Sequence, residues 1–321
     1  MLFHVDKTLP TTVAKIRKNA HILLPHSPSA RLDIDCILSH ILHTEKSALI
    51  SHDERLLTRC EKRITAAALK KRNTGMPVAY IIGKKEFFGR EFFVNKNVLI
   101  PKSDTELLVE TALSLSLPLS LSLSNIAASD SGKPLIRIAD VCTGSGCVAI
   151  SLLASLFSAS QDDAFSRIEP QIDASDISRA ALTVAKKNAR ALLPPHIQKR
   201  VRLVHADLLN FVPSAATENG GYDIIVSNPP YIPHAVAREL LKDGRREPIL
   251  ALSGGKHGTE LIEQLVPQSF VALKSGGFLL VEIGENQEKI VQNLFSDAGF
   301  TDIIVHTDLS GAPRVLQGVR P

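Results

Sequence analysis

Residues 136 to 153 read IRIADVCTGSGCVAISLL, and the order of residue types in that stretch decides the architecture of most of the chain. An apolar, β-rich run ends at Asp140, a glycine-containing turn follows, and the turn opens into a helix. Gly144 and Gly146 let the backbone approach a ligand closely, and the helix presents its N-terminal N–H groups to the same place. Further strand patterns lie at PQIDAS (170–175), VRLVHA (201–206), YDIIVS (222–227) and GFLLVEI (277–283), with helical patterns between the first three strands and before the fifth. Such alternation predicts an α/β fold with a parallel, doubly wound sheet, whose ligands sit at the carboxyl ends of the strands. DIIVHT (302–307) and RVLQGVR (314–320) are separated only by DLSGAP, too short for a parallel crossover. One of that pair is expected to run antiparallel.

The strand tips carry the chemistry. ASDIS puts Asp176 at the end of the second strand, where a carboxylate can accept hydrogen bonds from both hydroxyls of a ribose. HADLL puts Asp207 at the end of the third, placed for an adenine amino group, with Leu208 beside the ring. Taken singly, either acid serves equally well as a helix cap. A dinucleotide enzyme would read the turn as G-x-G-x-x-A in Gly144, Gly146 and Ala149. The fourth strand ends at Asn228 and runs into Pro229, Pro230 and Tyr231. Two successive prolines fix φ and remove two backbone donors, so this loop holds one turn; the plain alternative is a strand terminator.

Outside the sheet, Thr11 to Thr74 has apolar residues at helical spacing, as in LDIDCILSHILH (32–43) and RCEKRITAAALKKR (59–72), which predicts a small helical bundle broken at Pro25 and Pro28. From Met76 the pattern turns to short β-rich runs, VAYIIG, KEFFG and REFFVN, with Gly83 and Gly89 at turns, and a hairpin linker is expected. LSLSLPLSLSLSNIAASDSG (113–132) is a low-complexity stretch, read as an extension of the helix that starts near Asp104 or else as an alternating edge strand. Its serines and Pro118 are wrong for a membrane span.

At 321 residues and 44% hydrophobic content the chain has room for about two domains with real cores. An excess of 37 Lys+Arg over 33 Asp+Glu is too small to demand a nucleic-acid partner. Cys36, Cys60, Cys142 and Cys147 form no C-x-x-C pair, so a reduced, cytoplasmic protein without structural zinc is expected. The first residues lack the apolar core and cleavage site of an export signal.

Strand tips carrying D-x-C-T-G-S-G (140–146), then DIS, then AD, then NPPY resemble the class I S-adenosylmethionine-dependent methyltransferases that modify a planar amino nitrogen. Within that class the chain most resembles the HemK/PrmC family of protein-(glutamine-N5) methyltransferases, which act on peptide chain release factors. The likeness includes ARLDIDCILSHIL, GMPVAYIIGKKEFFGREFFVNKNVLIP, DTE (104–106), REPILALSGGKHG, KSGGFLLVEIG and DLSGAPRVLQG. It implies a helical substrate-recognition domain over 1–75, a β-hairpin linker over 76–100 and a methyltransferase domain over 101–321. It also implies cofactor binding by Asp140, Cys142, Thr143, Gly144, Ser145, Gly146, Asp176, Asp207, Leu208 and Asn228. The acceptor would be the glutamine of a Gly-Gly-Gln loop in a class I release factor. It would be held by the Asn228 side chain and the Pro229 carbonyl, with Pro230 stiffening the loop and Tyr231 offering a wall. Thr105 and Glu106 would line the methionine end of the cofactor, or simply start a helix capped by Asp104 or Ser103. His205 and His257 are read as structural. The resemblance further implies a cytoplasmic monomer with no stable nucleic-acid or membrane partner and no metal.

The chain departs from the family pattern in two places. Cys142 replaces its common glycine, as also happens in the related branch that methylates a ribosomal protein, and Pro101, Lys102 and Ser103 replace the usual P-R-P. Ribosomal-protein glutamine is therefore one alternative acceptor and a nucleic-acid base amino group another, although the helical segment has no basic stripe with aromatics. A nicotinamide oxidoreductase would leave Asn228 to Tyr231 unexplained. A binding module with a decayed fold would not keep Asp140, Gly144, Gly146, Asp176 and Asn228 intact.

Overall fold

The computed structural model describes residues 9–127, 135–159, 169–212 and 221–321. They form two compact units, one of residues up to Lys84 together with Leu240–Arg246, the other of residues 85–239 and 247–321.

The first unit is helical: α1 (Val13–Lys18), α2 (Ala30–Leu42), α3 (Arg59–Arg72) and α4 (Val78–Ile82), with short helical turns between. Ile16, Ile34, Ile37, Leu38 and Leu69 meet in its core, as the 3.6-residue spacing requires. Thr58 starts α3 with a capping box: its hydroxyl accepts from Glu61 N at 3.2 Å and the Glu61 carboxylate accepts from Thr58 N at 2.7 Å. Arg72 closes on Asp33 at 2.7 Å at the far end. VAYIIG, expected as a β-rich run, is instead the one-turn helix α4. Pro77 at its N-cap has φ −57°, Gly83 ends it at φ +77°, and Val78 and Ile81, three apart, pack on the helical core. Tertiary packing of these half-buried side chains here overrides the strand preference of β-branched residues. Gly75 and Gly244 face each other with φ +84° and +85°; a Cβ would fall 1.9 Å from the Asp243 carbonyl at the first and 2.0 Å from the Thr74 carbonyl at the second. Only glycine fits either position.

A two-stranded hairpin follows, β1 (Lys84–Phe87) and β2 (Arg90–Phe93), turning at Phe88 and Gly89, both at positive φ. The sheet comprises β3 (Leu135–Val141), β4 (Glu169–Asp176), β5 (Val201–His205), β6 (Tyr222–Ser227), β7 (Leu273–Glu282), β8 (Thr301–Thr307) and β9 (Pro313–Val319) in the order β5-β4-β3-β6-β7-β9-β8. The first five are mutually parallel, with Ile138 beside both Ile172 and Ile224. β9 lies antiparallel between β7 and β8, Gln317 pairing with Leu280 and with Ile304. The helices are α5 (Glu106–Ala127), α6 (Cys147–Ala159), α7 (Arg179–Leu192), α8 (His234–Leu240), α9 (Glu260–Ala272) and α10 (Glu288–Asp297). Successive strand residues enter opposite cores: Ile224 and Val226 join Phe92, Leu108 and Leu152 on one face, and Ile225 joins Ile262, Leu265 and Phe295 on the other. A sheet buried on both faces accounts for strands that read as unbroken apolar runs. The fold is α/β: a Rossmann-like, mostly parallel seven-stranded sheet, a β-hairpin ahead of it in the chain and an N-terminal helical bundle.

The Leu/Ser stretch adopts the helical alternative as far as Ala127; its residues 128–132 lie outside the described residues. Ser114 and Ser116 donate at 2.7 Å to the carbonyls of Thr111 and Ala112, so the exposed Ser114 and the buried Ser116 hydroxyls are both satisfied by the helix itself. Among the described residues no helix is long and apolar enough to cross a membrane.

Candidate active site

Four loops at the carboxyl ends of β3, β4, β5 and β6 enclose one cavity. Asp140, Cys142, Thr143, Gly144, Ser145, Asp176, Asp207, Leu208, Asn228 and Pro230 line it, together with Pro101, Lys102 and Thr105 from the segment ahead of α5. Residues from five separate stretches of sequence are thus brought to one wall. Gly146, Pro229 and Tyr231 adjoin the cavity along the chain without lining it.

The turn after β3 is braced from within. The buried Asp140 carboxylate accepts from the Thr143 hydroxyl at 2.6 Å and Ala149 N at 3.1 Å, and burial pushes its pKa up to about 7. Cys142 adopts φ +62°, a left-handed conformation that explains why glycine is common there. Its half-buried side chain packs on the core that contains Val141, and burial drives its thiol pKa up. Gly146, at φ +79°, serves packing: a Cβ would sit 3.0 Å from Ile150 Cδ1 and 3.2 Å from Ala185 Cβ. Among the described residues the buried Ser145 hydroxyl has no hydrogen-bond partner. Its carbonyl accepts from Asn188 Nδ2 at 2.8 Å, and Asn188 also pairs with the Phe93 backbone at 2.7 and 3.0 Å, tying the hairpin to the turn.

Asp176 Oδ2 accepts from Gly144 N at 2.9 Å and Oδ1 from Ser178 N at 2.8 Å. Ser178, not Asp176, caps α7. Each Asp176 oxygen keeps a lone pair for a ligand, and burial raises its pKa above the ordinary carboxylate range. Leu208, at φ +49°, is buried next to Asp207, and its carbonyl accepts from Ser175 Oγ at 3.2 Å.

Asn228 follows β6, and its Nδ2 donates to Thr105 Oγ1 at 2.9 Å. The prolines after it are held on both sides. Ile232 N donates to Leu252 O and Gly254 N to Ile232 O, each at 2.9 Å. Gln287 Nε2 donates to Tyr231 O at 3.0 Å and Gly258 O at 3.3 Å. A Cβ on Gly254 or Gly258 would come within 2.4 Å of the Pro230 or Tyr231 carbonyl, so the SGGKHG segment lies flush on this loop. The Tyr231 hydroxyl donates to Glu282 Oε1 at 3.3 Å. Lys102, one of the two departures in P-K-S, pairs at 3.0 Å with the buried Glu247 of the REP segment.

Sequence reasoning singled out the strand tips but not Asn188, Glu247, Glu282 or Gln287. Each acts on a partner more than 40 positions away, a separation at which no periodicity or spacing signals the pair. Glu106 turns from the cavity and accepts from Phe88 N at 2.9 Å. His205 contacts the Ile177 carbonyl at 3.0 Å, and His257 N donates to Glu260 at 2.8 Å.

Residues 16–83 match the family model described as PrmC N-terminal domain, and residues 123–246 match the methyltransferase small domain. The chain is 35% identical to the release factor glutamine methyltransferase of Koribacter versatilis, over 94% of this chain and 95% of that one. It is 36% identical to the enzyme of that name from Chlorobaculum tepidum, over 89% of each. A bifunctional methyltransferase of Rickettsia felis is 34% identical over 90% of this chain and 54% of its own length. With a methyltransferase sheet, a cavity framed by its strand tips and kinship over nearly its whole length, the chain belongs to the release factor glutamine methyltransferase family.

Proposed function

We propose that this protein transfers a methyl group from S-adenosylmethionine to the side-chain amide nitrogen of the glutamine in the Gly-Gly-Gln motif of class I release factors. The observation that carries the reading is that Asn228 opens into the same cavity as Asp176 and Asp207, so an acceptor amide and a nucleoside can be held side by side. The donors and acceptors present fit the cofactor: a carboxylate with lone pairs to spare, a buried Ser145 hydroxyl with no partner among the described residues, and a turn where the nearest atom to the place of a Gly144 Cβ is the Cys142 carbonyl oxygen, 4.0 Å away. When bound, S-adenosylmethionine supplies an activated methyl group and a neutral leaving group. Asp176 accepts from the ribose hydroxyls, Asp207 from the adenine amino group, and Leu208 flanks the ring. Asp140 and Thr143 hold the turn through Gly144, Ser145 and Gly146 in place around them.

A glutamine amide nitrogen is a poor nucleophile because its lone pair is delocalised into the carbonyl. The Asn228 Oδ1 and the Pro229 carbonyl accept its two N–H hydrogens, which polarises the nitrogen and aims it at the methyl carbon. Orientation and a preorganised polar environment supply the catalysis, and no ionised base is needed. Pro230 fixes the turn, Tyr231 walls the amide, and the proton leaves to solvent. The helical unit recognises the release factor, since a protein-sized interface of roughly 1,200 to 2,000 Å² exceeds what a catalytic pocket provides. The protein works as a cytoplasmic monomer without nucleic acid or membrane.

The direct test incubates the protein with methyl-labelled S-adenosylmethionine and purified release factor, ribosomal protein or nucleic acid, and locates the label by mass spectrometry. Label on the Gly-Gly-Gln glutamine is expected. Label confined to ribosomal protein or nucleic acid would replace the substrate assignment.

A further inference from the structure

The loop that carries Asn228 is short of donors, because neither Pro229 nor Pro230 has an N–H to offer a neighbour. Its place therefore depends on what grips its acceptors. The Tyr231 carbonyl is held by Gln287, which is 8% exposed and stands at the start of α10. Gln287 Oε1 accepts from Gly284 N at 2.9 Å, and Nε2 donates to Tyr231 O at 3.0 Å and to Gly258 O at 3.3 Å. All three partners are backbone groups of fixed polarity, so one orientation of the amide satisfies them. The reverse would set donor against donor at Gly284 and oxygen against two carbonyl oxygens. The fit is also close: a Cβ on Gly284 would lie 3.0 Å from Tyr231 Cδ2 and 3.1 Å from Gln287 Oε1. Gln287 is the N-cap residue of α10 but makes no side-chain cap bond to it; its amide serves the loop instead.

We propose that Gln287 is a positioning residue for methyl transfer: by clamping the Tyr231 carbonyl it fixes, through two prolines of locked φ, where the Pro229 carbonyl and Asn228 meet the acceptor glutamine. This assignment rests on the methyltransferase reading above and deepens it. Gln287, Gly284 and Gly258 do not line the cavity, so the clamp acts from behind the loop and leaves the cofactor's contacts alone. A displacement of about 1 Å caused far from the reacting atoms can lower a rate about a hundredfold, which is the scale on which such a clamp matters.

The test compares the parent with Gln287→Met, which keeps the length and removes the amide, and Gln287→Glu, which keeps the shape and puts a carboxylate oxygen against the two carbonyls. It measures kcat on release factor at saturating cofactor as a function of pH, cofactor affinity by calorimetry, and folding by thermal melts. Gln287→Met is expected to lower kcat about tenfold or more with cofactor affinity within about threefold of the parent. Gln287→Glu should be as impaired at high pH and should recover as pH falls. Its protonated carboxyl accepts from Gly284 N through one oxygen and donates to a carbonyl through the other, and burial lifts the pH of that recovery above the ordinary glutamate range. The titratable groups around the clamp are Glu260, which accepts from Gly258 N at 2.9 Å, Glu282, which accepts from the Tyr231 hydroxyl at 3.3 Å, and Glu285 and Glu288 beside Gln287 in the chain. All are common to both variants, so the ratio of Gln287→Glu to Gln287→Met turnover isolates the substituted carboxyl. Loss of packing alone would shift the melts and leave that ratio flat. Where Gln287→Met does not fold, the ratio of Gln287→Glu to the parent serves in its place. Parental kcat in folded Gln287→Met, cofactor affinity that falls as far as kcat, or a ratio independent of pH would each overturn the proposal. A parent that leaves release-factor glutamine unlabelled would instead overturn the functional reading.

Discussion

Replacing Asp176 with alanine separates cofactor binding from folding. The carboxylate accepts two backbone N–H groups, at 2.9 and 2.8 Å, and in the proposed complex two ribose hydroxyls as well. Bonds to a charged acceptor are worth about 1.5 to 3 kcal/mol each by mutation. Water entering the space left by the side chain returns part of this, and the carboxylate's own burial, which raises its pKa, removes more. A net loss of about 1 to 3 kcal/mol remains, a weakening of roughly 5- to 150-fold. Asp176→Asn should do no better than alanine. Its amino group would face Gly144 N or Ser178 N, donor against donor. The raised pKa sets the pH response: as pH falls through it the carboxyl gains a proton and loses acceptor capacity, so affinity should decline at a higher pH than an ordinary aspartate near 3.9 would give. Calorimetric titration with S-adenosylmethionine, beside thermal melts that establish folding, reads all of this. A folded Asp176→Ala protein with parental affinity would remove Asp176 from the cofactor site.

Asn228→Ala should keep most cofactor affinity while turnover on release factor falls about a hundredfold or more; near-normal turnover in a steady-state assay would sink its role. Asp140 and Glu282 both have pKa values raised to about 7 in the folded protein, so between about pH 4 and 7 the native state binds more protons than the unfolded chain. The stability of the cofactor-free protein, followed by urea denaturation, should therefore fall as pH rises through that window, and Asp140→Asn should flatten the slope; a slope unchanged by the substitution would argue against a buried, protonated Asp140. Gly244→Ala would place a Cβ 2.0 Å from the Thr74 carbonyl at φ +85° and should destabilise by about 2 kcal/mol or more; an unchanged melting temperature would contradict the close approach.

The sheet was legible because each of its strands is a local signal: YDIIVS begins and ends where β6 does, and the short DLSGAP connection foretold the antiparallel β9. The cavity was legible for a related reason, since parallel topology carries every strand tip to one edge. VAYIIG misled because Val78 and Ile81 pack, half-buried, against a helical core that the segment itself does not reveal. The setting of Asn228 stayed hidden because it depends on Thr105, 123 positions away. Cys142 is a sequence departure that becomes intelligible only with its φ of +62°.

The chain passes between its two units after Lys84, after Glu239 and again after Arg246. During synthesis the helices of the first unit emerge early, but the segment from Leu240 to Arg246 that completes it follows only after about 155 further residues, roughly 8 to 30 s at ordinary elongation rates. Throughout that interval the Thr74–Gly75 backbone lacks its neighbours Asp243 and Gly244. The nascent chain therefore cannot finish its first unit before most of its second has left the ribosome. Proteolytic protection of the early helices should appear late and together with that of β6, not in the vectorial order in which the residues are made.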